Sequence, residues 1–179
     1  MAVLKEKEII KNSVQNLAQQ IVVAVRTAPK ARGLDNIAAV VITENEIISL
    51  SDVMKKIGNS KDVGFFIRDA QNLIDGALAV VIIGCQINPV GLKYCGLCGF
   101  ENCDEKNNHP NTPCVFNVID LGIALGSAVS KAADLRLDNR IMYTIGMAAR
   151  ELNFLDSNYN IMFGIPLSAS SKNPFFDRQ

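Results

Sequence analysis

The most informative stretch for the fold is Val115-Phe-Asn-Val-Ile-Asp-Leu-Gly-Ile-Ala-Leu-Gly-Ser-Ala-Val-Ser-Lys-Ala-Ala133, because it is apolar almost all the way round a helix. A helix without a polar face is buried by its neighbours. Gly122, Gly126 and Ala128 leave room for another segment to approach closely. We therefore predict a central helix over 115–133, with the other elements packed around it. Asp120, the one carboxylate inside this run, is predicted to stabilise the N-terminal part of the helix.

Elements on either side of this helix alternate between helix and strand. Apolar residues recur at helical spacing from Ile10 to Val25 and predict a first helix that ends before Pro29. Three further segments have helical patterns: 46–57, ended by Gly58, 63–74, and 140–152. Three short apolar, β-branched runs predict strands: 37–43, 78–83 and 159–165, the last stopping at Pro166. We predict an α/β (α+β) sandwich in which helices flank a few-stranded sheet.

Composition is typical of one globular domain over residues 1–179. The chain has 179 residues, of which 49% are hydrophobic and 20% charged, and a chain of this length buries about 70% of its unfolded surface. Eighteen basic residues balance eighteen acidic ones, without a basic block. Electrostatic attraction to nucleic acid or to a membrane therefore has no visible source. No apolar stretch reaches the roughly 18 residues of a membrane span without polar interruption.

The beginning of the chain predicts a cytoplasmic protein. Residues 1–8 mix charges and lack the apolar core and cleavage site of a secretory signal. The cytoplasm keeps thiols reduced, which disfavours structural disulfides and favours metal binding or catalysis by cysteine.

Four cysteines lie within twenty residues, in Cys95-Gly-Leu-Cys98-Gly-Phe-Glu-Asn-Cys103 and at Cys114. The spacing C-x2-C-x4-C-x10-C supplies four thiolate ligands on one loop. We predict a cysteine-rich, metal-binding loop over 85–115, inserted into the domain. Metal ligation can replace the missing core of so long a loop.

Two kinds of metal centre accept four thiolates, a structural zinc ion and an iron-sulfur cluster. Zinc sites usually present two C-x2-C pairs, and only Cys95 and Cys98 have that spacing here. The wider intervals favour a [4Fe-4S] cluster, with zinc at the same cysteines and a redox dithiol or disulfide set as alternatives. His109 could replace one thiolate, although an exposed loop residue is the simpler interpretation. Cys85 is predicted to end a buried strand as a small apolar side chain, with a resolving thiol or fifth ligand as the alternative.

The chain resembles the bacterial and archaeal proteins described as containing a ferredoxin domain. Four segments carry the resemblance: Arg26-Thr-Ala-Pro-Lys-Ala-Arg-Gly-Leu-Asp-Asn36, the four-cysteine run, Asp120-Leu-Gly-Ile-Ala-Leu-Gly-Ser-Ala128, and the ending from Gly164 to Arg178. The resemblance covers nearly all of the chain. It implies cluster binding and names no reaction.

The order of elements is also similar to that of the flavin-dependent nitroreductases. An Ala28-Pro29 loop follows the first helix, a strand begins at Ile37, and a long helix begins at Val115. This similarity implies FMN as a cofactor and a homodimer built on the long helix through Gly122 and Gly126. It also implies basic contacts to the flavin phosphate, for which this sequence offers these candidates: Arg26, Lys30, Arg32, Lys172 and Arg178. The double-arginine opening of nitroreductases is absent, and solvated loop charges are the alternative interpretation.

Three functions remain open from the sequence. The first is a redox protein, with an oxidoreductase as one form of it, whose cluster exchanges electrons with a flavin, a small substrate or an unidentified redox partner. The second is an interaction module in which zinc or a permanently oxidised cluster only folds the loop. The third is a sensor or carrier of iron-sulfur clusters.

Overall fold

The structure, a computed structural model, describes residues 3–176. Its helices in this range are α1 (Glu6–Thr27), α2 (Asn45–Lys61), α3 (Gly64–Gly76), α4 (Cys103–Asn107), α5 (Val115–Asp134) and α6 (Tyr143–Glu151). Its strands are β1 (Ile37–Ile42), β2 (Ala79–Gln86), β3 (Asp138–Asn139) and β4 (Tyr159–Ser168). Short 3-10 turns cover Ala31–Gly33 and Pro174–Phe176.

The four strands form one antiparallel sheet in the order β1-β2-β4-β3. The central strand β2 is buried from Ala79 to Cys85. Its sequence is accordingly apolar throughout and does not alternate between apolar and polar residues. Its side chains nevertheless alternate between two cores. Val81 and Ile83 pack with α1 and α5 on one face, and Val80 and Ile82 pack with α2, α3 and α6 on the other. The fold is therefore a sheet between two helical layers, which confirms the predicted α/β architecture.

Helix α2 runs three residues past the predicted end at Gly58. A Cβ on Gly58 would lie 2.8 Å from the Ile67 Cγ1 atom of α3, so this glycine allows two helices to approach closely and does not terminate one. The helix ends instead at Lys61, and the next residue, Asp62, is its C-cap and has a left-handed φ of 56°.

Two predicted boundaries near the C-terminus are wrong, and strand pairing explains each of them. Gly164 of β4 forms an antiparallel bridge with Met142, whose backbone is extended, so α6 begins at Tyr143 and not at Arg140. Strand β4 does not stop at Pro166, which pairs with Val80 on the β2 side. On its other side, the ladder is interrupted between the pairs made by Gly164 and Leu167, where a missing N–H is tolerated.

Candidate functional site

The cysteine loop, defined as residues 87–114, connects β2 to α5. Within the segment predicted as an 85–115 insertion, Cys85 and Gln86 belong to β2. Cys95 and Cys98 lie on a segment without helix or strand. Cys103 opens the short helix α4, whose first turn is capped by the Asn102 side chain, which accepts from the Glu105 N–H at 2.9 Å. Cys114 is the N-cap residue of α5.

All five cysteines are free thiols. Cys95, Cys98 and Cys103 are half-buried, whereas Cys114 is buried. Within residues 3–176, no three or more His, Cys, Asp or Glu side chains are grouped closely enough to hold a metal ion. The structure thus carries the four predicted ligands on one loop without gathering them into a ligand shell. In small metal sites, the bonds to the metal commonly supply the free energy that orders the loop.

Two buried side chains that carry nitrogen in this region are consistent with a nearby anionic centre. Lys106, in α4, is only 2% exposed. Asn117, in the first turn of α5, is 0% exposed, and its Nδ2 has no hydrogen-bond partner in the part of the chain described. Buried amides and ammonium groups are normally paired. The donor set therefore fits an anionic, thiolate-ligated group.

Asn117 is one end of a chain of three asparagines beside the cysteine loop. Its Oδ1 accepts from the Asn88 N–H at 2.9 Å, and the Asn88 Nδ2 donates to the Asn36 Oδ1 at 3.1 Å. The Asn36 Nδ2 is also buried and unpartnered among residues 3–176. The chain joins the start of the cysteine loop, α5 and the segment before β1.

Cys85 is fully buried in β2, as predicted. Its Sγ lies 3.4 Å from the Asn117 carbonyl oxygen. Burial, with smaller contributions from Asp120 and Cys114, raises the pKa of the Cys85 thiol to about 12. A thiol that stays protonated at neutral pH is a poor metal ligand and a poor nucleophile.

The three basic residues at the end of α1 and just after it contact protein acceptors. Arg26 forms an ion pair with Asp35. The Lys30 Nζ donates to the carbonyl oxygens of Val25 and Arg26, at 2.9 and 2.6 Å, and so caps the end of α1. Burial and the Arg26 charge lower the pKa of Lys30.

Arg32 connects this segment to the cysteine loop. Its Nη1 donates to the carbonyl oxygens of Val90 and Gly91, at 2.9 and 3.0 Å. Its backbone adopts a φ of 55°, an uncommon conformation for a residue with a side chain. The structure thus brings the predicted flavin loop against the predicted metal loop, while using these cations for contacts within the protein.

The two remaining candidates for flavin contacts lie near the C-terminus. Lys172 is exposed, and its carbonyl oxygen accepts from the Ser170 hydroxyl at 2.6 Å. Arg178 lies outside the described residues. His109 is exposed, as the simpler interpretation predicted, and its ring stacks on Phe100 with centroids 4.9 Å apart.

Helix α5 has one buried and one uncovered face. Leu121, Ala124 and Ala128 lie in the core, whereas three large apolar side chains are exposed: Val118, Ile119 and Ile123. A Cβ on Gly122 or Gly126 would meet nothing within 4 Å. Within residues 3–176, α5 is also the one helix long and apolar enough to cross a membrane by length and composition alone, with 39% of that window buried. Core helices pass the same test.

The sequence analysis overlooked Lys106 and Asn117. Lys106 has an ordinary loop composition around it, so no pattern predicts its burial. Asn117 did carry a signal, because it is a polar residue on the apolar helix, three positions after a predicted ligand.

The fold is similar to that of solved nitroreductases and oxidoreductases. Nitroreductase CinD from Lactococcus lactis, solved with nicotinic acid, superposes with a TM-score of 0.61 at 15% identity, over 99% of this chain and 84% of CinD. The hypothetical oxidoreductase YcnD from Bacillus subtilis gives a TM-score of 0.56 at 18% identity, over 89% of this chain. The chain spans 59% of YcnD. The fold is thus nitroreductase-like.

Sequence comparison gives the family. Residues 110–178 match the profile of a family described as "uncharacterized protein containing a ferredoxin domain". An uncharacterized protein from Archaeoglobus fulgidus is 39% identical over 184 aligned positions, which cover 98% of this chain and 97% of the relative. The chain belongs to this ferredoxin-domain family, as the resemblance in the sequence implied.

Proposed function

We propose that this protein is a redox protein that binds a [4Fe-4S] cluster through Cys95, Cys98, Cys103 and Cys114. The family and the nitroreductase-like fold support a redox role. The observation that carries the finer assignment is the set of four free thiols on one loop that also buries a lysine. Four thiolates are the ligand set that such a cluster requires.

The chain's own residues have distinct parts in this function. Cys103 and Cys114 are held by α4 and α5, so their backbone positions are fixed before any metal binds. Cys95 and Cys98 lie on irregular chain that can close toward them. A bound cluster would supply one-electron transfer, and the fold would supply the site for the electron partner.

A flavin or another small molecule is the proposed electron partner, in line with the fold. Arg26, Lys30 and Arg32 contact protein acceptors in this structure, so a flavin phosphate would compete with those contacts. FMN binding stays a prediction. Fluorescence quenching of added FMN by the purified protein would support it, and an unchanged FMN signal at saturating protein would refute it.

The redox proposal is tested by reversible reduction. Protein purified without oxygen should show a broad visible absorption that dithionite bleaches and a mild oxidant restores. A Cys103→Ser variant prepared in parallel is the control, and its absorption should be lost or altered. Bound zinc without visible absorption would instead support the zinc-stabilised module. Cluster loss on brief exposure to air, with a change in oligomeric state, would support a sensor or carrier.

A further inference from the structure

Lys106 occupies an unusual position for a lysine. It belongs to α4, between the third and fourth cysteines, and is among the largest side chains that are fully buried. Within residues 3–176, its ammonium takes part in none of the four ion pairs. The carboxylate of its neighbour Glu105 accepts from the Glu101 N–H instead. The Lys106 side chain is almost completely buried, and its ammonium has no ion-pair partner among the described residues, so a nearby anion would stabilise it.

Lys106 and Asn117 have the same relation to a predicted ligand. Lys106 lies three residues after Cys103 on α4, and Asn117 lies three residues after Cys114 at the start of α5. Residues three apart on a helix are neighbours on its surface. At a helix N-terminus, the third residue also reaches back to the N-cap residue. Cys103 and Cys114 are therefore each followed, three positions along the helix, by a buried side chain whose nitrogen forms no ion pair or hydrogen bond among residues 3–176.

We propose that Lys106 and Asn117 are positioning residues for the cluster, acting through the thiolates of Cys103 and Cys114. The inference rests on the proposed function. Lys106 would balance the negative charge of the thiolate-ligated centre, and the Asn117 amide would donate to sulfur. Charge and hydrogen bonds near the sulfurs raise the reduction potential, because they stabilise the more negative, reduced form.

The proposal predicts opposite effects with and without the cluster. Lys106→Met keeps most of the length of the side chain and removes its charge. The cluster-free variant should therefore melt at the same temperature as the wild type or higher, since an unpaired buried cation is gone. The cluster-bound variant should have a lower reduction potential and should release iron to a chelator about 10-fold faster or more. A purely structural lysine would not shift the potential.

Matched variants separate this role from general damage. Asn117→Leu should also lower the potential, by less than Lys106→Met, and Lys106→Arg should preserve it because the charge remains. Lys93→Met removes an exposed lysine of the same loop, and Asn72→Leu removes another buried amide with an unpartnered Nδ2, located on α3. Both control variants should keep the wild-type potential.

The experiment is a dye-mediated redox titration of each anaerobically purified protein, followed by visible absorption, with melting curves of the cluster-free forms. Wild-type protein without iron and sulfide would overturn the proposed function itself. Wild-type potentials in Lys106→Met and Asn117→Leu, at full cluster occupancy, would overturn only this inference. If Lys106→Met does not fold, Lys106→Gln, which keeps a donor but no charge, decides by the same readout.

Discussion

The backbone N–H of Ala31 donates to both carboxylate oxygens of Asp120, at 3.0 and 3.1 Å. Asp120 is 3% exposed. Its carboxylate accepts from a residue outside its own helix, whereas the sequence predicted that it stabilises the N-terminal part of α5. The contact joins the segment after α1 to the helix that follows the cysteine loop. Arg32 donates hydrogen bonds to the cysteine loop itself. Asp120 and Arg32 together therefore connect the segment after α1 to α5 and to the cysteine loop.

Asp120→Ala should lower the free energy of unfolding by about 2 kcal/mol, because hydrogen bonds to charged groups contribute roughly 1.5–3 kcal/mol. Urea denaturation of the cluster-free protein measures this. Asp134→Ala, an exposed acid in the last turn of the same helix, should change stability by less than about 0.5 kcal/mol. Equal effects of the two variants would show that the Ala31 contact contributes nothing.

Gly146→Ala should destabilise the fold strongly, since the added Cβ would lie 1.8 Å from the Met162 carbonyl oxygen. Overpacking of this kind costs about 3 kcal/mol. By contrast, Gly122→Ala meets nothing within 4 Å on an exposed helical position. It should stabilise the monomer by about 0.5–1 kcal/mol through the higher helix propensity of alanine. Thermal melts of both variants check the opposite signs, and a neutral Gly146→Ala would contradict the packing of α6 on β4.

The Cys85 thiol should resist modification at neutral pH. Its pKa of about 12 keeps it protonated, whereas the half-buried thiols of the cysteine loop are accessible. In cluster-free protein at pH 8, a disulfide reagent should modify Cys95, Cys98 and Cys103 rapidly, and Cys85 only when the protein unfolds. Peptide mapping after a short exposure measures this, and early labelling of Cys85 would contradict its burial.

The same raised pKa has a consequence at high pH. An unfolded cysteine ionises near pH 9, while the folded Cys85 holds its proton until about pH 12. Its contribution to stability is therefore full below about pH 9 and falls as the pH rises toward 12. Cys85→Ala should flatten this part of the stability profile.

A homodimer through the exposed face of α5 stays a prediction. Val118, Ile119 and Ile123 are 40–46% exposed there, and the adjacent Gly122 and Gly126 permit close helix contact. Ile119→Lys should shift the protein from dimer to monomer in sedimentation equilibrium at micromolar concentration. Ile48→Lys, at an equally exposed isoleucine of α2, should leave the dimer intact. A monomeric wild type would refute the prediction.

Local pattern predicted most of the fold. The apolar run of α5, the helical spacing of α1 and the β-branched residues of β1 and β2 each placed an element within a few residues of its observed bounds. The errors arose where contacts between distant segments, and not the local sequence, determine where an element begins or ends. Gly58 has the sequence pattern of a helix end, but it allows α2 to pack closely on α3. The bridge between Met142 and Gly164 delays the start of α6 to Tyr143, three residues after the predicted start at Arg140.

The candidate site was less predictable than the fold. The spacing of four cysteines predicts ligands without help from the structure. The burial of Lys106 and the unpartnered amide of Asn117 depend on how the cysteine loop lies against α5, which no local pattern contains. The contacts of Arg32 with Val90 and Gly91 span nearly sixty positions of sequence, so its bonding to the protein could not be inferred.

Replacing individual cysteines should separate ligands from the buried thiol. Serine at Cys95, Cys98, Cys103 or Cys114 should sharply reduce the iron retained by the chain, because a hydroxyl is a weaker ligand than a thiolate. Cys85→Ser should retain the wild-type iron content. Iron and visible absorption are measured on protein purified without oxygen. An intact cluster in Cys103→Ser would remove that residue from the ligand set.

The most direct test of the central claim is iron and acid-labile sulfide analysis of the wild-type protein, purified without oxygen. A cluster held by Cys95, Cys98, Cys103 and Cys114 predicts about four iron and four sulfide per chain. One zinc per chain without sulfide would contradict it, and would make the cysteine loop a structural zinc site.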